Sequence, residues 1–334
     1  MAETFGTGEF LYSHVPDWEK LPDGMAFKEC PGVAVDSRDN VYVLTRGEHP
    51  IIVFDKDGNF IRTFGEGHFS EDRTHGLYIA HDDSLLVADD GIHTIQKFGP
   101  EGDKLMEIGE KNHPAPAWSG QPFNRPTSAA IMPSNGDVYV SDGYGNRRIV
   151  HFDKEGKCIK TWGQYGSTPG RFVLPHAIVL DSEGRLYVAD RNSARIQIFD
   201  QEGNLLDQWS NMIMPWGMSI TDDDVIWVCG SSPHWWLRNG EYPEYKDQLF
   251  MRFKSNGHVQ QVWSIPLGDI GTNKDKPDVS RLKPGEAVGV HCIAQDSKGN
   301  LYVGDIYGER AQKFVPITTR PQGRPEGASV EGPQ

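Results

Sequence analysis

The chain has 334 residues, and its 33 basic and 47 acidic side chains leave a net charge of −14. That balance argues against nucleic acid or an anionic membrane surface as a partner. Apolar residues at 37% and aromatics at 10% suffice for a core, while 37 glycines and 22 prolines suit many turns and few helices.

In chain order, short strand signals recur in sets of four. The first set reads GVAVD, NVYVLT (ending at Thr45), IIVFD and FIRTFG. The second reads GLYIA, SLLVAD (ending at Asp89), TIQKFG and LMEIG. The third reads AAIMP, DVYVSD (Asp142), RIVHFD and CIKTWG, and the fourth AIVLD, RLYVAD (Asp190), RIQIFD and LLDQWS. The fifth reads GMSIT, VIWVCG (Gly230), LFMRF and VQQVWS, and the sixth CIAQD, LYVGD (Asp305) and AQKFV. Turn signals such as DKDGN, DKEGK and DQEGN separate the third and fourth members. Four antiparallel strands at this period form one blade, so the expected fold is an all-β, six-bladed β-propeller. The sixth set lacks a fourth strand, and Glu9 to Val15 (EFLYSHV) is expected to supply it and close the ring. The propeller then spans 9–315, between a flexible start over 1–8 and a disordered Pro- and Gly-rich tail over 316–334.

The residue that lies 14 positions before each second-strand marker forms a column: Pro31, His75, Ser128, His176, Trp216 and His291. It falls just before each innermost strand, so the six members ring the central channel. Histidines occupy alternate blades, and alternate members of a six-ring form a triangle. Three neutral imidazoles with an open fourth position are the ligand set of a catalytic zinc site, with other divalent transition ions as alternatives.

The turns after the second strands open on the same face. One position past the marker stand Arg46 and Arg191, placed to meet a carboxylate bidentately. Two positions past it stand Tyr144 and Tyr307, and a tyrosine beside a cation can serve as a base. Arg195 and Arg310 are expected instead to pair with turn acids or carbonyls. Blade five carries an aromatic insertion over 231–248; Trp216, His234, Trp235 and Tyr307 are candidate substrate-pocket residues, with His234 a possible extra ligand.

Four cysteines (Cys30, Cys158, Cys229, Cys292) show no CxxC pair and read as reduced thiols. No segment is long and apolar enough to span a membrane, and MAETFGTGEF lacks the pattern of a signal peptide. A cytoplasmic location and a small-molecule substrate are therefore expected.

The stretch VADRNSARIQIF resembles NHL-type repeats. Residues 9–315 resemble the catalytic core of the peptidyl-α-hydroxyglycine α-amidating lyases, through THGL around His75, SDGYGNRRI around Tyr144, GRFVLPHAI around His176, VADRNSARIQ around Arg191, VGVHCI around His291 and LTRG around Arg46. The resemblance implies zinc on His75, His176 and His291, Tyr144 as base, and Arg46 and Arg191 as substrate-binding and polarising groups. Three positions depart from the family pattern. Cys292 stands where an aspartate commonly ligates a structural calcium, which makes calcium doubtful here. Gly145 stands where animal enzymes have a disulfide cysteine, and Val290 replaces a proline. No copper monooxygenase domain accompanies the propeller, so a peptide substrate is not expected. The implied activity is zinc-dependent cleavage of the C–N bond of a small α-hydroxy amide, giving an amide and an aldehyde such as glyoxylate. The alternatives are a metal hydrolase, lactonase or amidase, on the same histidines, and a non-catalytic binding scaffold.

Overall fold

The computed structural model describes residues 4–8, 10–117, 119, 122–232, 248–271 and 278–317. Six antiparallel sheets surround one axis. Blade one runs Gly32–Val35, Val41–Leu44, Ile51–Phe54, Phe60–Phe64, and blade four runs Pro175–Leu180, Leu186–Asp190, Arg195–Phe199, Leu205–Trp209. The other blades repeat the pattern, each with its first strand innermost. The second strands are buried along their whole length, because each blade is covered on both faces by its neighbours. They read as continuous apolar runs for that reason. The outermost strands, such as Cys158–Trp162, alternate and are largely exposed.

The turn signals work as expected. In the first blade the Asp55 carboxylate accepts the backbone N–H groups of Asp57 and Asn59, both at 2.9 Å, and Gly58 takes φ +81°. All four cysteines are unpaired. Among the described residues, no helix is long and apolar enough to cross a membrane.

Phe10–Val15 closes the ring as the fourth strand of blade six, pairing Tyr12 with Pro316 and Val15 with Lys313. Thr4–Thr7, inside the start expected to be flexible, pairs with it as a fifth strand. The closing strand also ties blade six to blade five. The Tyr12 ring stacks on Trp263 at 5.7 Å and meets the edge of Trp227 at 6.2 Å. Removing this buried ring leaves a cavity at the seam, so Tyr12→Ala should lower unfolding free energy by about 3 kcal/mol in urea titration. An unchanged midpoint would mean that the seam does not need the ring.

Candidate metal centre

Each histidine of the column sits at a β-bulge. In blade two Thr74 faces Asp89 while Gly76 faces Ala88, so His75 has no partner across the ladder. His176 stands in the same way between Pro175 and Ala177, His291 between Val290 and Cys292, and Trp216 between Pro215 and Gly217. A bulge withdraws one residue from the ladder and re-aims its side chain; here it turns three imidazoles toward the axis. Blades one and three begin their pairing without one.

The acidic markers fix the loops that deliver these residues. The buried Asp190 carboxylate accepts the N–H groups of Val173 and Leu174 at 2.9 and 2.8 Å. Asp305 accepts those of Val288 and Gly289 at 2.9 and 2.8 Å. Asp89 holds Ser70 N–H at 2.7 Å.

Blades one, three and five answer with carbonyls. His75 Nδ1 donates to Thr127 O at 2.7 Å, His176 Nδ1 to Trp216 O at 2.5 Å, and His291 Nδ1 to Pro31 O at 2.7 Å. A carbonyl only accepts, so each proton sits on Nδ1 and each Nε2 carries the lone pair. Gly76 makes the first of these bonds possible: a Cβ there would lie 2.5 Å from Thr127 O.

The three rings are 2%, 1% and 5% exposed. Their centroids are 4.6, 4.7 and 5.0 Å apart, and one ligand atom from each lies within 4.8 Å of the others. Burial is the main cause that holds all three imidazoles well below their ordinary pKa. Arg46 adds to it at His75, Arg191 at His176, and His75 itself at His291. The rings are therefore neutral donors at neutral pH. Three neutral nitrogens, each locked by a second-shell carbonyl, can hold a divalent transition ion and leave room for an outside oxygen. Beyond the triad the channel is lined by apolar side chains, among them Val33, Leu77, Val179, Met218 and Ile293.

The turn residues gather on the other side. Tyr144 Oη lies 3.0 Å from His75 Nε2 and 3.1 Å from His176 Nε2. Arg191 Nη1 donates to His176 Nε2 at 2.9 Å, and its guanidinium lies 4.6 Å from the Trp216 ring centroid. Arg46 is more committed, with Nε on Thr74 O at 2.9 Å and Nη1 on Glu29 at 2.6 Å. The Tyr307 ring lies over Gly289, two residues before His291. His234 and Trp235 fall outside the described residues. Arg195 binds Asp190 at 2.9 Å and three loop carbonyls, and Arg310 binds the carbonyls of Lys283 and Glu286.

Sequence reasoning missed the carbonyl acceptors, Glu29, and a cluster of Arg73, Asp90 and Arg125 beside Tyr144. Asp90 had a readable signal, since it stands one past its marker, as Arg46 and Arg191 do.

The geometry makes the metal dependent on each ring. His176→Ala should fall from about one divalent transition ion per chain to less than about a tenth, by elemental analysis of purified protein. Cys158→Ser, on an outer strand, should keep its ion. Full metal content in His176→Ala would remove the triad as the binding site.

Comparison with known proteins fits this picture. The NHL repeat family model matches residues 123–152 and 172–199. NHL repeat-containing protein 3 of Homo sapiens is 29% identical over 335 residues, covering 95% of this chain and 88% of that protein. Peptidyl-alpha-hydroxyglycine alpha-amidating lyase 1 of Drosophila melanogaster is 29% identical over 263 residues, covering 72% of this chain and 44% of that enzyme. Among solved structures, a streptogramin B lyase superposes with a TM-score of 0.61 at 14% identity, over 92% of this chain and 98% of that one, which bears on the fold. The chain is a six-bladed β-propeller that carries NHL repeats over residues 123–152 and 172–199 and is similar to peptidyl-alpha-hydroxyglycine alpha-amidating lyases.

Proposed function

We propose that the chain is a metal-dependent lyase, with zinc as its ion, that cleaves the C–N bond of a small α-hydroxy amide to an amide and an aldehyde such as glyoxylate. The observation that carries this reading is the position of Tyr144. Its hydroxyl stands within hydrogen-bond reach of two of the three Nε2 atoms, where a proton must be taken from a bound hydroxyl. A scaffold has no use for that arrangement.

His75, His176 and His291 would hold the ion, which supplies Lewis-acid polarisation of a hydroxyl oxygen. The chain's own groups do the rest. Arg191 orients the substrate carboxylate, because no carboxylate among the described residues pairs with its guanidinium, which bonds His176 and Asn192. In its phenolate form Tyr144 Oη takes the proton of the α-hydroxyl. The carbon–oxygen bond becomes a carbonyl as the C–N bond breaks, and the departing amide nitrogen takes the proton back from Tyr144. No water is consumed. Arg46, tied to Glu29 and to the carbonyl beside His75, contributes fixed positive potential near the oxygen that carries developing charge.

N-benzoyl-α-hydroxyglycine separates this reaction from hydrolysis. The proposal expects benzamide and glyoxylate in equal amounts, with no solvent oxygen in the benzamide. Benzoate carrying labelled solvent oxygen would assign a hydrolase instead. Tyr144→Phe should lower kcat about 10²- to 10⁴-fold while metal content stays constant.

A further inference from the structure

The arginines around this mouth are unequally committed. Arg46 is spent on Glu29 and Thr74 O. Arg73 is spent as well, with Nε and Nη2 clamped on the two oxygens of Asp90 at 2.6 and 2.8 Å. Asp90 is fully buried at its side chain, and Arg73 takes both of its oxygens. Arg125 reaches the same carboxylate through Nη2 alone, at 3.2 Å. Its Nε and Nη1 have no partner among the described residues, and its side chain is 41% exposed. One carboxylate between two guanidiniums leaves one positive charge over; the two side chains are about equally exposed (40% and 41%), and Arg125, with a single bond to Asp90, is the less committed of the two.

The position of Arg125 is well determined. Its guanidinium lies 4.6 Å from the centroid of the Tyr144 ring, and Arg191 lies 5.8 Å from the same centroid. The backbone of Arg125 is held at φ +63°, a left-handed conformation unfavourable for a non-glycine residue. Two bonds hold it there: its N–H donates to His93 Nδ1 at 3.2 Å, and its carbonyl accepts Tyr144 N–H at 3.2 Å. Asn124 O accepts Gly145 N–H at 2.9 Å, so this strap runs along the tyrosine turn. In a chain of net charge −14, four guanidiniums gather at this mouth; Arg46 pairs with Glu29 and Arg73 with Asp90, Asp72 and Glu309 lie nearby, and no carboxylate pairs with Arg191 among the described residues. The two guanidiniums left under-paired, Arg125 and Arg191, favour an anion between them.

We infer that Arg125 is a specificity residue that binds a second anionic group on the substrate, so that the preferred substrate is a dianion. Arg191 takes the carboxylate next to the reacting carbon, and Arg125 takes a carboxylate on the acyl side of the amide. The assignment to the acyl side rests on the lyase reading; the anion site itself does not. Both guanidinium carbons lie near the Tyr144 ring and so are at most about 10 Å apart, within the reach of the two carboxylates of an N-succinyl-α-hydroxyglycine.

Two pairs of probes test this. N-succinylglycine and N-butyrylglycine lack the hydroxyl and report binding alone, by calorimetry on the protein as purified. Wild type should bind the succinyl compound at least about tenfold more tightly, since a charge-assisted bidentate contact is worth more than about 1.4 kcal/mol. Arg125→Gln should lose most of that preference, and Arg125→Lys should keep part of it. Equal affinity for the two probes in wild type, or equal weakening of both in Arg125→Gln, would overturn the proposal and leave Arg125 as a prop for Tyr144. The hydroxylated pair then reports turnover. Arg125→Gln should lower kcat/KM for N-succinyl-α-hydroxyglycine at least about tenfold more than for N-butyryl-α-hydroxyglycine. If neither hydroxylated compound is cleaved while the binding preference and its loss persist, the lyase reading falls and the anion site stands.

Discussion

Three hydrogen bonds organise the centre of this molecule. Each runs from the Nδ1–H of a histidine on an even blade to a backbone carbonyl on the next odd blade, at 2.5 to 2.7 Å. They choose the tautomer, they set the ring orientation, and they link blade to blade around the channel. Burial alone would keep the rings neutral but would leave the lone pairs free to turn either way. The bonds make the Nε2 atoms converge, and everything on the mouth above them, Tyr144 and Arg191 first, is placed relative to that convergence.

The propeller supplies the symmetry on which this depends, and the site breaks it. All six column positions are equivalent in the repeat, yet odd blades give carbonyl oxygen and even blades give imidazole. The bulges at His75, His176 and His291 deliver the rings, while blades one and three, which start without a bulge, and blade five, which has one at Trp216, each leave a backbone carbonyl facing them. The position after the marker is divided too: Arg46 and Arg191 present guanidiniums directly, while Asp90 gathers two from neighbouring loops. The result is a positive mouth over a neutral nitrogen triangle, above an apolar channel, in an acidic protein.

Much of this was legible in the chain. The blade period follows from the recurring sets of four strand signals, the closing strand from the missing fourth member of the sixth set, and the histidine column from a constant offset of 14 residues before each second-strand marker. Trp216 was legible as a member of the column, and Arg46, Arg191 and Tyr144 because the turns after the second strands share a face with it. The carbonyls of Pro31, Thr127 and Trp216 were not, since backbone atoms leave no residue signature. The bulges were not, since they change a pairing and not a count. Arg125 was hidden because its role comes from a shared carboxylate on another blade. Thr4–Thr7, inside the start expected to be flexible, pairs along the open edge of the closing strand.

The claim on which the account rests is that the three Nε2 atoms hold one ion. X-ray absorption at the metal edge of the purified protein tests it most directly. The account predicts one divalent ion per chain with three imidazole nitrogen neighbours at about 2.0–2.1 Å and no sulfur. An absorber with sulfur neighbours, or an imidazole count that does not change in His176→Ala, would contradict it.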